Sequence, residues 1–123
     1  CYDERAGAFF DLAGVEGRPL RTMTFSSLAP LALPDLDRRI IERLVAHLRD
    51  PESFALPYPV PSVSGREPMS MPGYAPGFVW RGPPWTNTNW LIGEGLRKHD
   101  GDDFYQTLLD AICALIQHSG FRE

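Results

Sequence analysis

Apolar residues recur at helical spacing in three stretches of the chain. Leu36, Ile40, Ile41, Leu44, Val45 and Leu48 return every three or four positions, which predicts a helix over Asp35–Leu48 with one buried face. Asp35, directly after Pro34, is placed to accept the first free N–H groups, and Asp50-Pro51 closes the element. Arg38, Arg39, Glu42, Arg43 and Arg49 fall on the other side and read as solvated surface, with His47 as a surface or packed helix residue rather than a ligand. A second helix is predicted over Pro84–His99, with proline in its first turn and Trp85, Asn89, Ile92 and Leu96 on one face. Trp90, deeper in this helix, reads as core. The third, Phe104–Ser119, buries Phe104, Leu108, Ala111, Ile112, Leu115 and Ile116, takes Cys113 as a buried thiol, and ends at Gly120. The acids of Asp100-Gly101-Asp102-Asp103 form the turn between the last two helices, and Asp102 or Asp103 can cap the third.

The remaining stretches lack a long period. Thr24–Leu33 reads as a short helix capped by Thr24 or Ser26, with Leu28, Leu31 and Leu33 as its apolar side and Pro34 as its end. Cys1–Arg21 is turn-rich. Ala8–Leu12 is a short strand or extended piece, broken by Gly14 and Gly17-Arg18-Pro19, and the segment is expected to pack as a hairpin lid without a catalytic role for Asp3, Glu4 or Asp11. Pro51–Val79 holds seven of the twelve prolines, interleaved with Phe54, Tyr58, Met69, Met71, Tyr74 and Phe78. Disordered linkers are poor in aromatics, so this is expected to be an ordered loop lying across a site. Helical pairs joined by long loops suggest an all-α architecture, a barrel or solenoid of helix pairs.

Composition narrows the function. The chain has 123 residues, 43% of them apolar, enough for one domain with a core. Its net charge is −4, Lys98 is its only lysine, and its arginines are scattered, which argues against nucleic acid as a partner. No apolar run approaches the length that crosses a bilayer, so no membrane partner is expected. Two cysteines without clustered histidines give no metal site and no disulfide framework. No cofactor is expected. The redox compartment stays undetermined, with a cytoplasmic setting favoured. The chain starts at Cys1 and stops shortly after a helix terminator, so it is expected to be a piece of a longer protein.

Against that background one stretch stands out. Trp80-Arg81-Gly82-Pro83-Pro84-Trp85-Thr86-Asn87-Thr88-Asn89-Trp90 holds all three tryptophans, an arginine, two asparagines and a Pro-Pro step within eleven residues. Indole faces beside rigid hydrogen-bonding forks suit a sugar ring, with its apolar C–H faces and rim of hydroxyls. Arg81 is then a donor to sugar hydroxyls or a substrate carboxylate, or else a structural arginine serving loop carbonyls. Trp80 and Trp85 are cavity wall or core. Asn89 is unfavourable by propensity inside a helix, which points to a buried hydrogen-bonding duty. Tyr58 and Tyr74 either stack on a second sugar unit or pack beneath the loop.

This stretch, with Leu91-Ile92, Gly95-Leu96 and the later Gly120-Phe121-Arg122-Glu123, resembles the inverting glycosidases built on an (α/α)6 barrel. These include glycoside hydrolase family 63 and the mannosylglycerate hydrolase-like enzymes, and more distantly trehalase. Thr24–Leu31 and Phe54–Val63 also match family-typical segments, so the resemblance spans nearly the whole chain.

The resemblance implies that residues 1–123 are one partial domain, a piece of a catalytic barrel whose remainder is its partner. It implies hydrolysis, with inversion, of an α-linked sugar such as a hexosyl-glycerate or the terminal residue of an oligosaccharide. It implies two catalytic carboxylates. Glu123 fits the general base; the general acid, an Asp, has no match here and is expected before Cys1. Trp80, Arg81, Gly82, Trp85, Asn89 and Tyr58 are the expected substrate-binding residues. Two other functions stay open from the residues themselves: a helical carbohydrate-binding domain without catalysis, and an interaction domain whose proline-rich loop is a ligand for a partner.

Overall fold

Asp3 folds the start of the chain back on itself. Its Oδ1 accepts the N–H groups of Arg5 and Ala6, each at 3.0 Å, and its carbonyl accepts the Gly7 N–H at 2.8 Å. The resulting turn pairs β1 (Tyr2–Asp3) antiparallel with β2 (Ala8–Phe9), Tyr2 opposite Phe9. A second ribbon pairs β3 (Asp11–Ala13) with β4 (Arg18–Leu20), Leu12 opposite Pro19. The structure, a computed structural model, describes residues 1–68, 82–99 and 103–120. The all-α expectation therefore covers the helices but not the strands within residues 2–20; Gly14 and Gly17 do end β3, in the turn between the two strands, while Arg18-Pro19 starts the returning strand. Proline is tolerated there because a two-stranded ribbon has only edges.

The helix expected over Thr24–Leu33 is instead two 3₁₀ turns, Phe25–Ser27 and Ala29–Ala32. Each closes with bonds to the third residue back, Leu28 N–H to Phe25 and Leu31 N–H to Leu28. Pro30 has no N–H to continue an α-helical ladder through this stretch, so the tighter turn takes over.

The first long helix, α1, runs Arg38–Arg49. Asp37, not Asp35, caps it, its Oδ1 accepting the Arg39 N–H at 2.8 Å. Leu44 and Leu48 are fully buried, as their spacing requires. Arg43, assigned to its solvated side, and His47, read as surface or packed, are both engaged with the first ribbon. Arg43 donates to the Arg5 carbonyl at 3.2 Å, and His47 Nε2 lies 2.8 Å from the Ala6 carbonyl. A carbonyl only accepts, so that ring nitrogen carries the proton.

The second helix, α2, is Thr86–Lys98, with Trp85 as its N-cap residue and Pro84 just outside. Gly95 lets its C-terminal half lie against the second 3₁₀ turn: a Cβ there would sit 2.6 Å from the Leu31 carbonyl carbon. The carbonyls of that turn are then capped from α2, by His99 Nε2 on Leu31 at 2.9 Å and Lys98 Nζ on Ala32 at 3.2 Å. The third helix, α3, runs Asp103–Ser119 and packs on α2. The core joins Ala8, Phe10, Leu28, Leu31, Leu44, Leu48, Phe54, Val60, Ile92, Leu96 and Leu108 in one cluster.

Two tryptophan and cysteine expectations are corrected. Trp90 is 66% exposed, because it lies opposite the face by which α2 meets the 3₁₀ turn and α3. Cys113 is exposed, lying well off the side of α3 that carries Leu108. The predicted face of α3 is only partly covered: Leu108 is buried, while Ala111, Ile112, Leu115 and Ile116 are half-buried.

Candidate functional site

The described part of the proline-rich segment, residues 51–68, is ordered and packs into the core. Residues 59–64 are buried, with Phe54 and Val60 fully enclosed. They run as an extended spine between two other segments. On one side Thr24 bridges Val63 antiparallel, Phe25 N–H donates to the Ser62 carbonyl at 3.1 Å, and Ser64 N–H donates to the Met23 carbonyl at 3.0 Å. On the other side Pro61 bridges Pro84 antiparallel, and Ser62 N–H donates to the Pro83 carbonyl at 3.1 Å. Met69, Met71, Tyr74 and Phe78 lie outside the described residues, as does the Asp100–Asp102 turn.

The spine anchors the tryptophan-rich stretch at two points. At the first, Gly82 N–H donates to Ser62 Oγ at 2.7 Å. Gly82 has φ +108°, a backbone conformation that L side chains rarely adopt. At the second, Asn89 takes hold of Val60. Its Nδ2 donates to the Val60 carbonyl at 3.1 Å, and its Oδ1 accepts the Val60 N–H. The same Nδ2 donates to the Trp85 carbonyl at 2.9 Å, one turn back along α2. Asn89 is 1% exposed, and both its N–H donors serve backbone carbonyls. The buried hydrogen-bonding duty expected of it is therefore filled by its own chain.

Trp85 sits between these anchors. It is half-buried, its indole Nε1 is shielded from solvent, and its carbonyl also accepts from Thr88 Oγ1 at 2.9 Å and Asn89 N–H at 3.0 Å. Tyr58 is 40% exposed, two residues before Val60. Two residues of chain reach at most about 7 Å. The Asn89–Val60 clamp therefore limits how far Tyr58 can stand from the start of α2. Of the expected substrate-binding residues, the structure thus draws Tyr58, Gly82, Trp85 and Asn89 onto one spine. Trp80, Arg81 and Glu123 lie outside the described residues.

Ser62 is the residue that reading by type passed over. Its signal was available in Val60-Pro61-Ser62-Val63-Ser64, where small hydroxyls alternate with apolar residues as in a buried strand. Ser64 is used in the same way, its Oγ 2.9 Å from Ser53 Oγ in a buried pair. Among the described residues no group of three or more His, Cys, Asp or Glu gathers as a metal site. No described helix is long and apolar enough to cross a membrane. A separate groove of about 440 Å³ lies between α1 and the end of α2, floored by Ile41, Val45 and Leu96.

Two carboxyl groups in the described residues are held below their ordinary range. The Asp3 carboxyl is held below the usual range, first by the Ala6 N–H and then by Arg21, whose Nη1 lies 2.7 Å away. Glu94 is lowered by its hydrogen bond to Arg97, one turn on along the outer side of α2.

The model of the mannosylglycerate hydrolase MGH1-like glycoside hydrolase domain matches residues 1–123. Mannosylglycerate hydrolase of Thermus thermophilus is 33% identical over 99% of this chain and 28% of its own length. That of Rubrobacter radiotolerans is 28% identical, over 99% of this chain and 27% of its own. The crystal structure of the family 63 mannosylglycerate hydrolase of Thermus thermophilus in complex with glucose superposes with a TM-score of 0.86 at 29% identity, covering 99% of this chain and 28% of that one. Its complex with Tris and D-glycerate agrees equally well, with the same TM-score of 0.86. The chain thus spans little more than a quarter of the length of these relatives. Matched from its first residue to its last, it belongs to the mannosylglycerate hydrolase MGH1-like glycoside hydrolase domain family.

Proposed function

We propose that this chain is part of the catalytic (α/α)6 barrel of a glycosidase that cleaves an α-linked sugar with inversion, a hexosyl-glycerate such as mannosylglycerate being the first choice of substrate. One observation supports this above the rest: the family match and the anchoring of Gly82–Asn89 on the 59–64 spine meet in the same residues. Tyr58, Trp80, Arg81, Gly82 and Trp85 are assigned to the sugar-facing wall, with Asn89 holding the wall from behind.

Inverting hydrolysis needs two carboxyl groups about 6.5–9.5 Å apart. The base takes a proton from water as its oxygen attacks the anomeric carbon. The acid protonates the departing glycosidic oxygen, so one bond forms as the other breaks and the proton count balances. Glu123 is assigned as the base, and the acid is assigned to an Asp outside these residues. A unit that loses one member of such a pair loses most of its rate, so the 123-residue chain by itself should show no turnover.

The test is mannosylglycerate hydrolysis by the longer protein that carries this segment. The expected result is mannose released with inverted anomeric configuration, abolished in Glu123→Gln and weakened through KM in Trp85→Ala. Retained configuration, or full activity in Glu123→Gln, would overturn the reading. Saccharide binding without turnover would favour the non-catalytic carbohydrate-binding alternative.

A further inference from the structure

We infer that Ser62 is a positioning residue for the sugar-facing wall: its hydroxyl sets the direction in which the chain runs from Gly82 into Trp85. The inference rests on the wall reading above.

Ser62 is 3% exposed and connects two segments through three hydrogen bonds. Its carbonyl holds Phe25, its N–H holds Pro83, and its Oγ holds Gly82. The third bond has no substitute within the Gly82–Pro84 step. Prolines lack an N–H, so the Gly82 amide is the one backbone donor in those three residues. Gly82 is also the hinge of the step. Among the described residues a Cβ built on it would meet nothing within 4 Å, so the φ of +108° is not imposed there by close packing, and the bond from its N–H to Ser62 is what holds it on the spine. Downstream, Pro83 and Pro84 fix their own φ, and a direction set at Gly82 is carried with little loss to Trp85.

The neighbouring Ser53–Ser64 pair supplies the control. It is a buried hydroxyl contact on the same spine, and its two hydroxyls bond to each other rather than to any described residue of the tryptophan-rich stretch. Its loss perturbs the packing of the spine without releasing Gly82.

The test uses the longer protein with mannosylglycerate as probe. Ser62→Ala should raise KM about fivefold, the worth of one hydrogen bond, with kcat nearly unchanged. Ser62→Thr, which keeps the hydroxyl, should restore KM. Ser53→Ala should lower the melting temperature without moving KM. An unchanged KM in Ser62→Ala, or an equal rise in Ser53→Ala, overturns the assignment. Amide hydrogen exchange on the unaltered protein answers the same question should Ser62→Ala not fold. The Gly82 N–H should be protected, and exchange at the rate of an open loop overturns the assignment. Trp85→Ala separates the two levels: a raised KM there with no effect of Ser62→Ala removes Ser62 alone, whereas no effect of either removes the wall and its support together.

Discussion

Asn89 holds Val60 by both backbone groups at once, one side-chain amide standing in for a facing strand. A carboxamide presents the same donor and acceptor as a peptide group. A residue inside a helix can therefore complete an extended segment whose edge would otherwise be buried without partners. The second proton of Nδ2 reaches the Trp85 carbonyl, so one side chain joins the spine, the helix and the residue assigned to the sugar wall.

Removing that side chain should be costly. Asn89→Ala leaves the buried Val60 N–H and carbonyl without partners, each worth about 1–3 kcal/mol. The expected loss is about 2–5 kcal/mol of unfolding free energy, measured by urea denaturation. Asn89→Asp should fare no better near neutrality, because it turns a carboxylate toward two carbonyl oxygens. A loss under about 0.5 kcal/mol for both variants would show the clamp to be incidental.

Gly93 and Gly95 should respond to alanine with opposite signs. At Gly95 the new Cβ would lie 2.6–2.7 Å from the Leu31 carbonyl carbon and oxygen, backbone atoms that cannot swing away. Overpacking of this kind costs about 1–3 kcal/mol and exceeds the gain of about 1 kcal/mol in helix propensity. At Gly93 the nearest atom is the Tyr105 ring edge at 3.4 Å, close to ordinary contact. There the propensity gain should survive, and the melting temperature should hold or rise. Equal effects at the two sites would contradict the close approach of α2 to the 3₁₀ turn.

Asp3 should make part of the stability acid-sensitive. Its carboxyl is held below the ordinary value of 3.8, chiefly by the Ala6 N–H, with Arg21 adding to it. A group whose pKa is depressed by folding stabilises the native state above its unfolded pKa. That contribution disappears as the pH falls through the folded pKa. Asp3→Asn keeps the neutral hydrogen-bonding shape and loses the charge. Its melting temperature should lie below that of the parent sequence well above pH 3.8 and converge with it below that value. A gap that stays constant across the range would exclude the charge as its source.

Trp90 and Trp85 should separate by quenching. In this chain Trp90 is 66% exposed and should be quenched readily by acrylamide, while the half-buried Trp85, whose indole Nε1 is shielded, should be quenched less. Trp90→Ser should shift stability by less than about 0.5 kcal/mol. A blue-shifted, unquenched Trp90 would show that side chain to be covered.

The sequence reading succeeded where local pattern decides the outcome. The six-residue repeat from Leu36 to Leu48 located α1 and its buried Leu44 and Leu48, and the helix-disfavoured Asn89 announced a buried polar role. It failed where a distant partner decides. Nothing local tells Asp35 from Asp37 as the cap, Arg43 looks solvated until the first ribbon places the Arg5 carbonyl beside it, and the Ala6 carbonyl decides between the surface and packed readings of His47. The 59–64 segment reads in sequence as part of an ordered loop, and its depth in the fold does not show locally. Its burial depends on edges supplied by residues 23–25 and 82–84. Of the candidate site, the tryptophan-rich stretch stands out by composition, while Ser62, between Pro61 and Val63, offers only the faint alternation of small hydroxyls with apolar residues, and its bond to Gly82 depends on a segment twenty residues away.

The pairings of Thr24 with Val63 and of Pro61 with Pro84 have a consequence for how the residues assigned to the sugar wall are brought together. Each closes a long stretch of sequence, so Gly82 and Trp85 reach their support on the 59–64 spine only after distant parts of the chain have met. Such non-local closures are slow compared with the winding of a helix. A peptide cut to α2 and its flanking tryptophans would keep some helicity yet have no spine to lean on. Circular dichroism would report it as partly folded, while a sugar would find no surface there to bind.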